Sequence, residues 1–279
     1  MLKQTANGTR YFTAPEAIIV AATRWWGNEE ARLQEDFIDP LFPDQAEAYF
    51  EDKTLWGDGA QLAKFAGQLC YLSFGPQRSR NAQASAYLRH IKESGHGSVF
   101  EHVNYSILLW GVSRAFTHEL VRHRAGFGFS QVSQRYVAGK HLRFVETPAT
   151  EEADHAGFEA WIDACAAEYT RREQQLLAVR GIDMAKATTD PRKAVRQEAR
   201  RCLPNETEAP VLVTGNLRAW RHMIEQRANR FADAEICRVA MLCFEKLREL
   251  EPILWEDYTV ETDLRDDGLP TVHTPYRKV

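Results

Sequence analysis

The chain has 279 residues, 44% of them hydrophobic, and a formal net charge of -4. This composition suits one large domain or a domain with an extension, and it excludes a disordered chain or a general binder of polyanions. No run approaches the ~20 apolar residues that a membrane span needs, and the N-terminus lacks the apolar core of a signal peptide. The five cysteines are odd in number and none stands in a CxxC pair. They predict a reducing, cytoplasmic environment rather than a disulfide framework or a zinc site.

The chain begins with a segment, residues 1–57, that we interpret as an N-terminal extension. Within it, residues 17–22 predict one short buried strand, and residues 24–57 predict irregular structure because they are rich in Trp, Asp and Pro. Residues 58–74 then predict a helix. Its apolar face is expected to consist of Leu62, Phe65, Leu69 and Leu72.

Capping signals bound two further helices. Asn81 is expected to cap a helix that runs to about Ser94 and ends at Gly95. Ser113 is expected to cap another that runs to about His123. Both predictions rest on local chemistry, because a short polar side chain can accept a hydrogen bond from the first turn of a helix.

The C-terminal half predicts long helices and short strands. Gly126 and Gly128 are expected to open a loop. Long helices with a few non-adjacent strands indicate an α+β fold, with the helices around a small mixed sheet. We divide the chain into the extension, a main domain over 58–260 and a tail over 261–279. The remaining strands are expected over 101–112 and 209–214, and the helices over about 151–180, from Pro191 onward, from Asn216 to about Arg230, and over 233–250.

Positive charge is concentrated in two segments of this acidic chain. Residues 113–143 hold six Arg or Lys against one acid, and residues 192–230 hold nine against four. Local cation concentrations of this kind favour small phosphorylated ligands over a long nucleic acid. Solvated helix faces remain the alternative interpretation.

The run from His118 to His123, HELVRH, resembles a metalloprotease helix but has the wrong spacing. Zinc binding on one helix face needs histidines at i and i+4, whereas these two are five residues apart. Five residues turn a helix through about 140° beyond one full turn, so the two rings point in different directions. The sequence therefore predicts no metal site.

The same segment leads into a stretch that is rich in small donors. Arg122, His123 and Arg124 precede a glycine-containing loop, where backbone N–H groups can approach a ligand. In the extended conformation, the side chains of Gln131, Ser133 and Arg135 would point one way. Arginine binds phosphate through paired hydrogen bonds, and glutamine can bind a pyrimidine edge. A surface loop after a basic helix end is the alternative.

RHR followed by SQVSQRY is similar to the signature of the flavin-dependent thymidylate synthases. Four more segments match that family in the same order, and the resemblance covers about residues 60–255. They are GHGSVFEH (Gly95–His102), SRAFTHELVRHR (Ser113–Arg124), ARRCLPN (Ala199–Asn205) and VTGNLRAWRHMIEQRA (Val213–Ala228).

The resemblance implies site residues at matching positions. Arg227 would be the activating residue near N3 of the uracil of dUMP. The implied FAD contacts are Ser98, Arg122, His123, Arg124, Gln131, Asn216, Leu217, Arg218 and His222. The implied dUMP contacts are Glu119, Arg122, Gln131, Ser133, Gln134, Arg135, Arg200 and Arg227.

Two features depart from the family pattern. Residues 125–132 make the segment between RHR and the second serine one residue longer than usual. Phe231 stands where many members carry a histidine, so any flavin contact from that side chain is lost or replaced by apolar packing. No cysteine belongs to the matched nucleotide motif, and we interpret Cys202 as a packing residue rather than a nucleophile.

The resemblance implies an enzyme that converts dUMP to dTMP. It further implies methylenetetrahydrofolate as carbon donor, FAD reduced by NADPH as hydride donor, and a homotetramer with active sites shared between subunits. The protein would mainly position the ligands and stabilise their charges, since the cofactor carries the redox chemistry. The alternatives are a non-enzymatic nucleotide- or RNA-binding protein that uses the same arginines, and a flavoprotein of this fold without synthase activity.

Overall fold

The computed structural model contains both helices and strands and describes residues 1–26, 29–41, 57–74, 83–137, 139–277 and 279. The predicted cap Asn81 lies outside the described residues. Short helical turns occupy Glu30–Arg32, Leu33–Ile38 and Asp39–Leu41. The longer helices are α1 (Asp58–Cys70), α2 (Ala84–Glu93), α3 (Arg114–Leu120), α4 (Pro148–Arg180), α5 (Thr189–Ala199), α6 (Leu217–Arg227) and α7 (Ala234–Leu250).

The described strands form three small sheets. The first has the order β1-β2-β6, with β1 antiparallel and β6 parallel to β2, so it is mixed. The second has the order β3-β4-β7-β5, and the third pairs β8 with β9. Their bounds are β1 (Leu2–Gln4), β2 (Arg10–Phe12), β3 (Glu16–Ala22), β4 (Asn104–Trp110), β5 (Phe127–Gln131), β6 (Arg143–Val145), β7 (Val211–Asn216), β8 (Thr259–Glu261) and β9 (Thr271–His273).

Several predicted helix ends are confirmed by their capping contacts. Ser113 Oγ accepts from the Phe116 amide at 3.1 Å at the start of α3, and Asn216 Oδ1 accepts from the Ala219 amide at 2.8 Å at the start of α6. Gly95 follows α2 with φ +71°, a left-handed conformation that glycine adopts without a Cβ penalty. These ends were predictable because each depends on neighbours a few residues away.

The chain divides into two compact units built from interleaved segments. The first unit comprises Met1–Ala17, Leu108–Arg122 and Phe129–Leu212, and the second comprises Ile18–Ile107, His123–Gly128 and Val213–Val279. The division of the sequence at residues 57 and 260 therefore stays a prediction about domains.

In the first unit, one face of α4 packs against strands β2 and β6. The buried cluster consists of Tyr11, Phe144, Phe158, Ile162 and Cys165. Burial of large apolar side chains like these contributes roughly 1.5–3 kcal/mol each. This core supports the first sheet. Directly after β5, the Val132 amide donates to the Pro210 carbonyl at 3.0 Å.

In the second unit, α6 is held by an aromatic and ionic core. Trp255 lies 5.8 Å from Phe244 and 5.4 Å from Tyr258 between ring centroids. Arg221 of α6 is fully buried among these rings and forms an ion pair with Asp257, Nη2 to Oδ2 2.7 Å. This core fixes the helix that carries several of the predicted site residues.

The strand predicted as buried at residues 17–22 is instead largely exposed. It lies within β3, where Ile18 is 46% and Val20 50% exposed. The reason is that β3 stands at the edge of its sheet and pairs only with β4 among the described strands. An apolar run alone does not distinguish an edge strand from a central one.

The predicted apolar face of α1 is confirmed in part, because Phe65 packs against the buried side chains of Ile38 and Phe74, and it is wrong for the two later leucines. Leu69 is 40% and Leu72 47% exposed, whereas the buried side of the helix carries Ala60, Ala63 and Gly67. A Cβ at Gly67 would collide with the hydroxyl of Tyr87, so the small residues allow α2 to approach closely. Close approach of the two helices therefore outweighs burial of the leucines.

Candidate functional site

The polypeptide leaves α3 earlier than the sequence predicted. The helix ends at Leu120, and the Arg122 amide donates to the Glu119 carbonyl at 3.2 Å in the turn that follows. Arg122 is exposed and lies beyond the helix. The predicted helix to His123 is thus too long.

A histidine–arginine contact joins two predicted site residues of the second unit. Arg227 Nε donates to His123 Nε2 at 2.8 Å. His222 lies close by, with its ring centroid 6.2 Å from that of His123. Burial, together with the charges of Arg227 and His222, lowers the pKa of His123 to about 4. The imidazole is therefore neutral at neutral pH.

The loop after Arg124 is fitted against the start of α6. The Asn216 amide donates to the Gly126 carbonyl at 3.1 Å. Gly126 has φ +76°, and a Cβ there would lie 2.8 Å from both Ala219 Cβ and Asn216 Nδ2. Glycine is therefore required at Gly126 by both conformation and space.

Two implied flavin residues at this helix also have structural roles. Asn216 uses its side-chain oxygen as the helix cap. Leu217 is fully buried, and its amide donates to the Val103 carbonyl at 2.7 Å. Any ligand contact by Leu217 would have to come from its backbone, because the side chain has no access to solvent.

A cavity of about 290 Å³ in the second unit brings together two predicted flavin residues, Ser98 and Arg218. Ser98 is exposed, and Arg218 Nη1 donates to Glu101 Oε1 at 2.6 Å. The wall includes three glycines, which let a ligand approach the backbone. The full lining is Gly67, Cys70, Tyr71, Ile91, Gly95, His96, Gly97, Ser98, Val99 and Arg218.

The predicted nucleotide loop belongs to the first unit, and it is not extended throughout. Strand β5 ends at Gln131, whose Nε2 donates to Thr117 Oγ1 at 3.4 Å. The chain then turns, and the Arg135 amide donates to Ser133 Oγ at 3.3 Å. The condition under which the side chains of Gln131, Ser133 and Arg135 would share one side of a strand is therefore not met, because the strand ends at Gln131. A turn after the strand offers several donors within a short stretch instead.

Arg135 and Gln134 of this loop point to different surroundings. Arg135 Nη2 donates to Gln197 Oε1 of α5 at 3.4 Å. Gln134 lines a cavity of about 380 Å³ together with Arg143, Tyr169, Leu203 and other residues of the first unit. Gln134 Nε2 is buried without a hydrogen-bond partner in the described part of the chain. Arg135 thus attaches the loop to α5, and the neighbouring Gln134 borders the cavity.

Arg114 is a candidate site residue that the sequence reasoning did not select. It starts α3, and burial together with the nearby charge of Arg200 lowers its pKa. Among the residues that the structure describes, neither guanidinium forms an ion pair. Two half-buried cations that raise each other's energy in this way would be stabilised by a bound anion. The signal in the sequence was the basic segment 113–143, which does not show which arginine meets Arg200.

The remaining predicted features are placed as follows. Phe231 is 80% exposed, with the guanidinium carbon of Arg230 4.3 Å from its ring centre, so it does not pack into a core. Burial raises the pKa of Cys202, whose thiol donates to the Ala199 carbonyl at 3.2 Å. A protonated thiol is a poor nucleophile, which agrees with the interpretation of Cys202 as a packing residue.

A metal-binding cluster and a membrane-spanning helix are both absent from the described residues. Across the described ranges, no cluster of three His, Cys, Asp or Glu side chains is placed to hold a metal ion. No helix in that part of the chain is both long and apolar enough to cross a membrane.

The fold combines helices with several small sheets, and the candidate site residues include several exposed or half-buried arginines. The chain belongs to the family described as thymidylate synthase complementing protein, whose model matches residues 53–253. This is the family to which the five ordered motifs pointed.

Curated relatives and solved structures agree with that assignment. A flavin-dependent thymidylate synthase of Mycobacterium sp. (strain JLS) is 44% identical over 221 residues, which are 78% of this chain and 86% of the relative. One of Mycolicibacterium gilvum (strain PYR-GCK) is 43% identical over 207 residues, 72% of this chain and 80% of the relative. A UMP/dUMP methylase, PolB from Streptomyces cacaoi bound with 5-Br dUMP, has a TM-score of 0.58 at 19% identity, and the match covers 88% of this chain and 95% of that one. The last likeness concerns the fold.

Proposed function

We propose that this chain makes dTMP from dUMP by reductive methylation. Methylenetetrahydrofolate supplies the carbon, and FAD reduced by NADPH supplies the hydride. The observation that carries the proposal is family membership over residues 53–253, with relatives named flavin-dependent thymidylate synthase at 43% and 44% identity.

The phosphate of dUMP is assigned to the basic residues of the first unit. The Arg114–Arg200 pair supports this, because a dianion between two guanidinium groups removes their mutual repulsion. Arg122 and Arg135 add donors that match phosphate geometry. The other nucleotide contacts that the resemblance implies are Glu119, Gln131, Ser133 and Gln134.

Ser133 is assigned a positioning role rather than a covalent one. A serine hydroxyl needs an adjacent base to become a good nucleophile. In the described part of the chain, Ser133 Oγ accepts a hydrogen bond from the Arg135 amide at 3.3 Å, and no basic side chain accepts a hydrogen bond from it. A neutral hydroxyl in this turn can orient a ligand through hydrogen bonds.

FAD fits the residues of the second unit that the resemblance selects. The glycine-lined cavity with Ser98 and Arg218 can accept a flat or phosphorylated group close to the backbone. The exposed side chains of Arg124 and His222 provide further donors. The remaining assigned contacts are Arg122, His123, Gln131, Asn216 and Leu217. Bound FAD would supply the hydride that completes the methyl group.

Arg227 is assigned the activating role. Uracil C5 becomes more nucleophilic as negative charge builds up on the N3–C4=O4 edge. A fixed guanidinium facing that edge stabilises the charge without exchanging a proton. Sharing of active sites within a homotetramer is a further part of the proposal and rests on the family resemblance.

The proposal is tested by assaying the purified chain for flavin and for product. We expect a flavin absorbance spectrum that changes when dUMP is added, and formation of dTMP that requires NADPH and methylenetetrahydrofolate together. A colourless protein that binds RNA, with affinity falling steeply as salt rises, would support the non-enzymatic alternative. A yellow protein that binds dUMP without making dTMP would indicate a flavoprotein without synthase activity.

A further inference from the structure

The contact between His123 and Arg227 has a fixed direction. An arginine side chain can only donate hydrogen bonds, so His123 Nε2, 2.8 Å from Arg227 Nε, must be the acceptor. A histidine that accepts at Nε2 carries its proton on Nδ1. The geometry therefore defines one tautomer of His123.

The surroundings of His123 keep the ring in that neutral state. The groups that act on its charge are the Arg227 guanidinium and His222, whose ring centroid lies 6.2 Å away. A protonated His123 would lose the acceptor and place a second cation against Arg227. Burial opposes protonation as well, and the pKa of His123 is accordingly lowered to about 4.

A hydrogen bond to Nε controls the orientation of a guanidinium group. The Nε–H bond lies in the plane of the group and at a fixed angle to the N–H bonds of Nη1 and Nη2. Holding Nε therefore sets both the plane of the group and the direction of the fork. A group meant to stabilise charge on one edge of a pyrimidine needs this fixed orientation.

We propose that His123 is a positioning residue for Arg227, whose guanidinium it orients by accepting from Nε as the neutral Nδ1–H tautomer. This rests on the proposed function, because Arg227 must act on the pyrimidine for its orientation to matter. It gives the histidine of the RHR motif a role in activating the nucleotide, in addition to the flavin contact implied by the resemblance.

A double-mutant cycle separates positioning from flavin binding. His123→Leu removes the acceptor at similar size, whereas His123→Gln keeps an oxygen near the position of Nε2. At saturating dUMP and FAD, we expect kcat of His123→Leu to fall on the order of 10- to 100-fold with a smaller change in KM, and His123→Gln to recover most of it. In an Arg227→Ala background, the same His123→Leu change should cost less than about threefold, because the group it orients is gone.

Solid-state ¹⁵N NMR of histidine-labelled protein without FAD provides a readout that does not depend on activity. The His123 signals, assigned by their loss in His123→Gln, should show a protonated Nδ1 and an unprotonated Nε2 at neutral pH. An Nε2–H tautomer or an imidazolium would overturn the proposal. So would equal losses from His123→Leu with and without Arg227. If Arg227→Ala alone left turnover unchanged while the NMR showed the expected tautomer, the assigned role of Arg227 would fail and the positioning role with it, although dTMP synthesis itself would stand.

Discussion

At the scale of single residues, helix α6 carries two arginines with different roles. Arg221 is fully buried, donates to the Leu254 carbonyl at 2.7 Å and pairs with Asp257. Arg227 is half-buried and contacts His123. Composition placed both in one basic segment and could not distinguish them, because the difference lies in residues far away along the chain.

Replacement of Arg227 tests its assigned role directly. Arg227→Ala removes one charge-stabilising group, so turnover at saturating dUMP should fall on the order of 10²- to 10³-fold, as for deletion of an oxyanion-hole donor. FAD should still bind, because Arg227 is not among its assigned contacts. Near-normal turnover in a folded, FAD-loaded variant would contradict the assignment.

Replacement of Arg221 should unfold the protein rather than slow the chemistry. Arg221→Met removes the partner that holds Asp257 through hydrogen bonds and charge and leaves Lys92, with Nζ 3.0 Å from Oδ1, to compensate this buried carboxylate; breaking a buried pair in this way typically costs about 3–5 kcal/mol. Urea unfolding followed by circular dichroism measures this loss. Arg277→Met is the matched control, because the Arg277 side chain is 67% exposed and its pair with Glu225 should contribute at most about 1 kcal/mol. Equal stability of the two variants would show that the buried network is not important.

The same network predicts how stability depends on pH. Burial alone would raise the pKa of Asp257, but the hydrogen bonds and charge of Arg221 and the charge of Lys92 outweigh it and hold the pKa below its usual range. The stabilisation is therefore complete above the unfolded-state value of about 4 and is lost as pH falls below it. In acid titrations of unfolding free energy, the gap between wild type and Asp257→Asn should close below about pH 4. A gap that stays constant down to low pH would contradict this.

At the scale of elements, the residues that cap helices were predictable from the sequence, but the faces that elements bury were predictable only in part. Ser113 and Asn216 begin α3 and α6 as expected, because each cap depends on an amide three residues away. The end of α3, strand β5 and the buried side of α1 depend on pairing or packing with distant segments. Residues 58–74 thus predicted the helix, which ends at Cys70, and its contact through Phe65, but the prediction of Leu69 and Leu72 as buried was wrong.

Packing between α1 and α2 can be tested at Gly67. Gly67→Ala places a methyl group against the Tyr87 hydroxyl and should destabilise the protein by about 1–3 kcal/mol, the usual cost of overpacking. Tyr87→Phe removes that hydroxyl, so the double variant should recover part of the loss in thermal melts. If Gly67→Ala were as stable as wild type, the close approach of the helices at this position would be wrong.

At the scale of the whole molecule, the two units separate the assigned ligands to a large extent. The nucleotide residues lie in the first unit apart from Arg227, and the flavin residues lie in the second apart from Arg122 and Gln131. The motifs and their order identified the family, and the site residues that they imply stay predictions. They could not show this division, because each unit combines segments that are distant in sequence.

The proposed homotetramer predicts how turnover depends on protein concentration. If active sites are shared between subunits, a separated chain lacks part of each site. Turnover per chain should then fall together with the tetramer fraction when the protein is diluted, and saturating dUMP and FAD should shift both curves to lower protein concentration, since ligands that bind only the assembled state stabilise it. Light scattering after size exclusion gives the assembly, and dTMP formation at the same concentrations gives the activity. We expect four chains per particle at the highest concentrations. Full turnover per chain in a monomeric preparation would rule out shared sites while leaving the proposed chemistry intact.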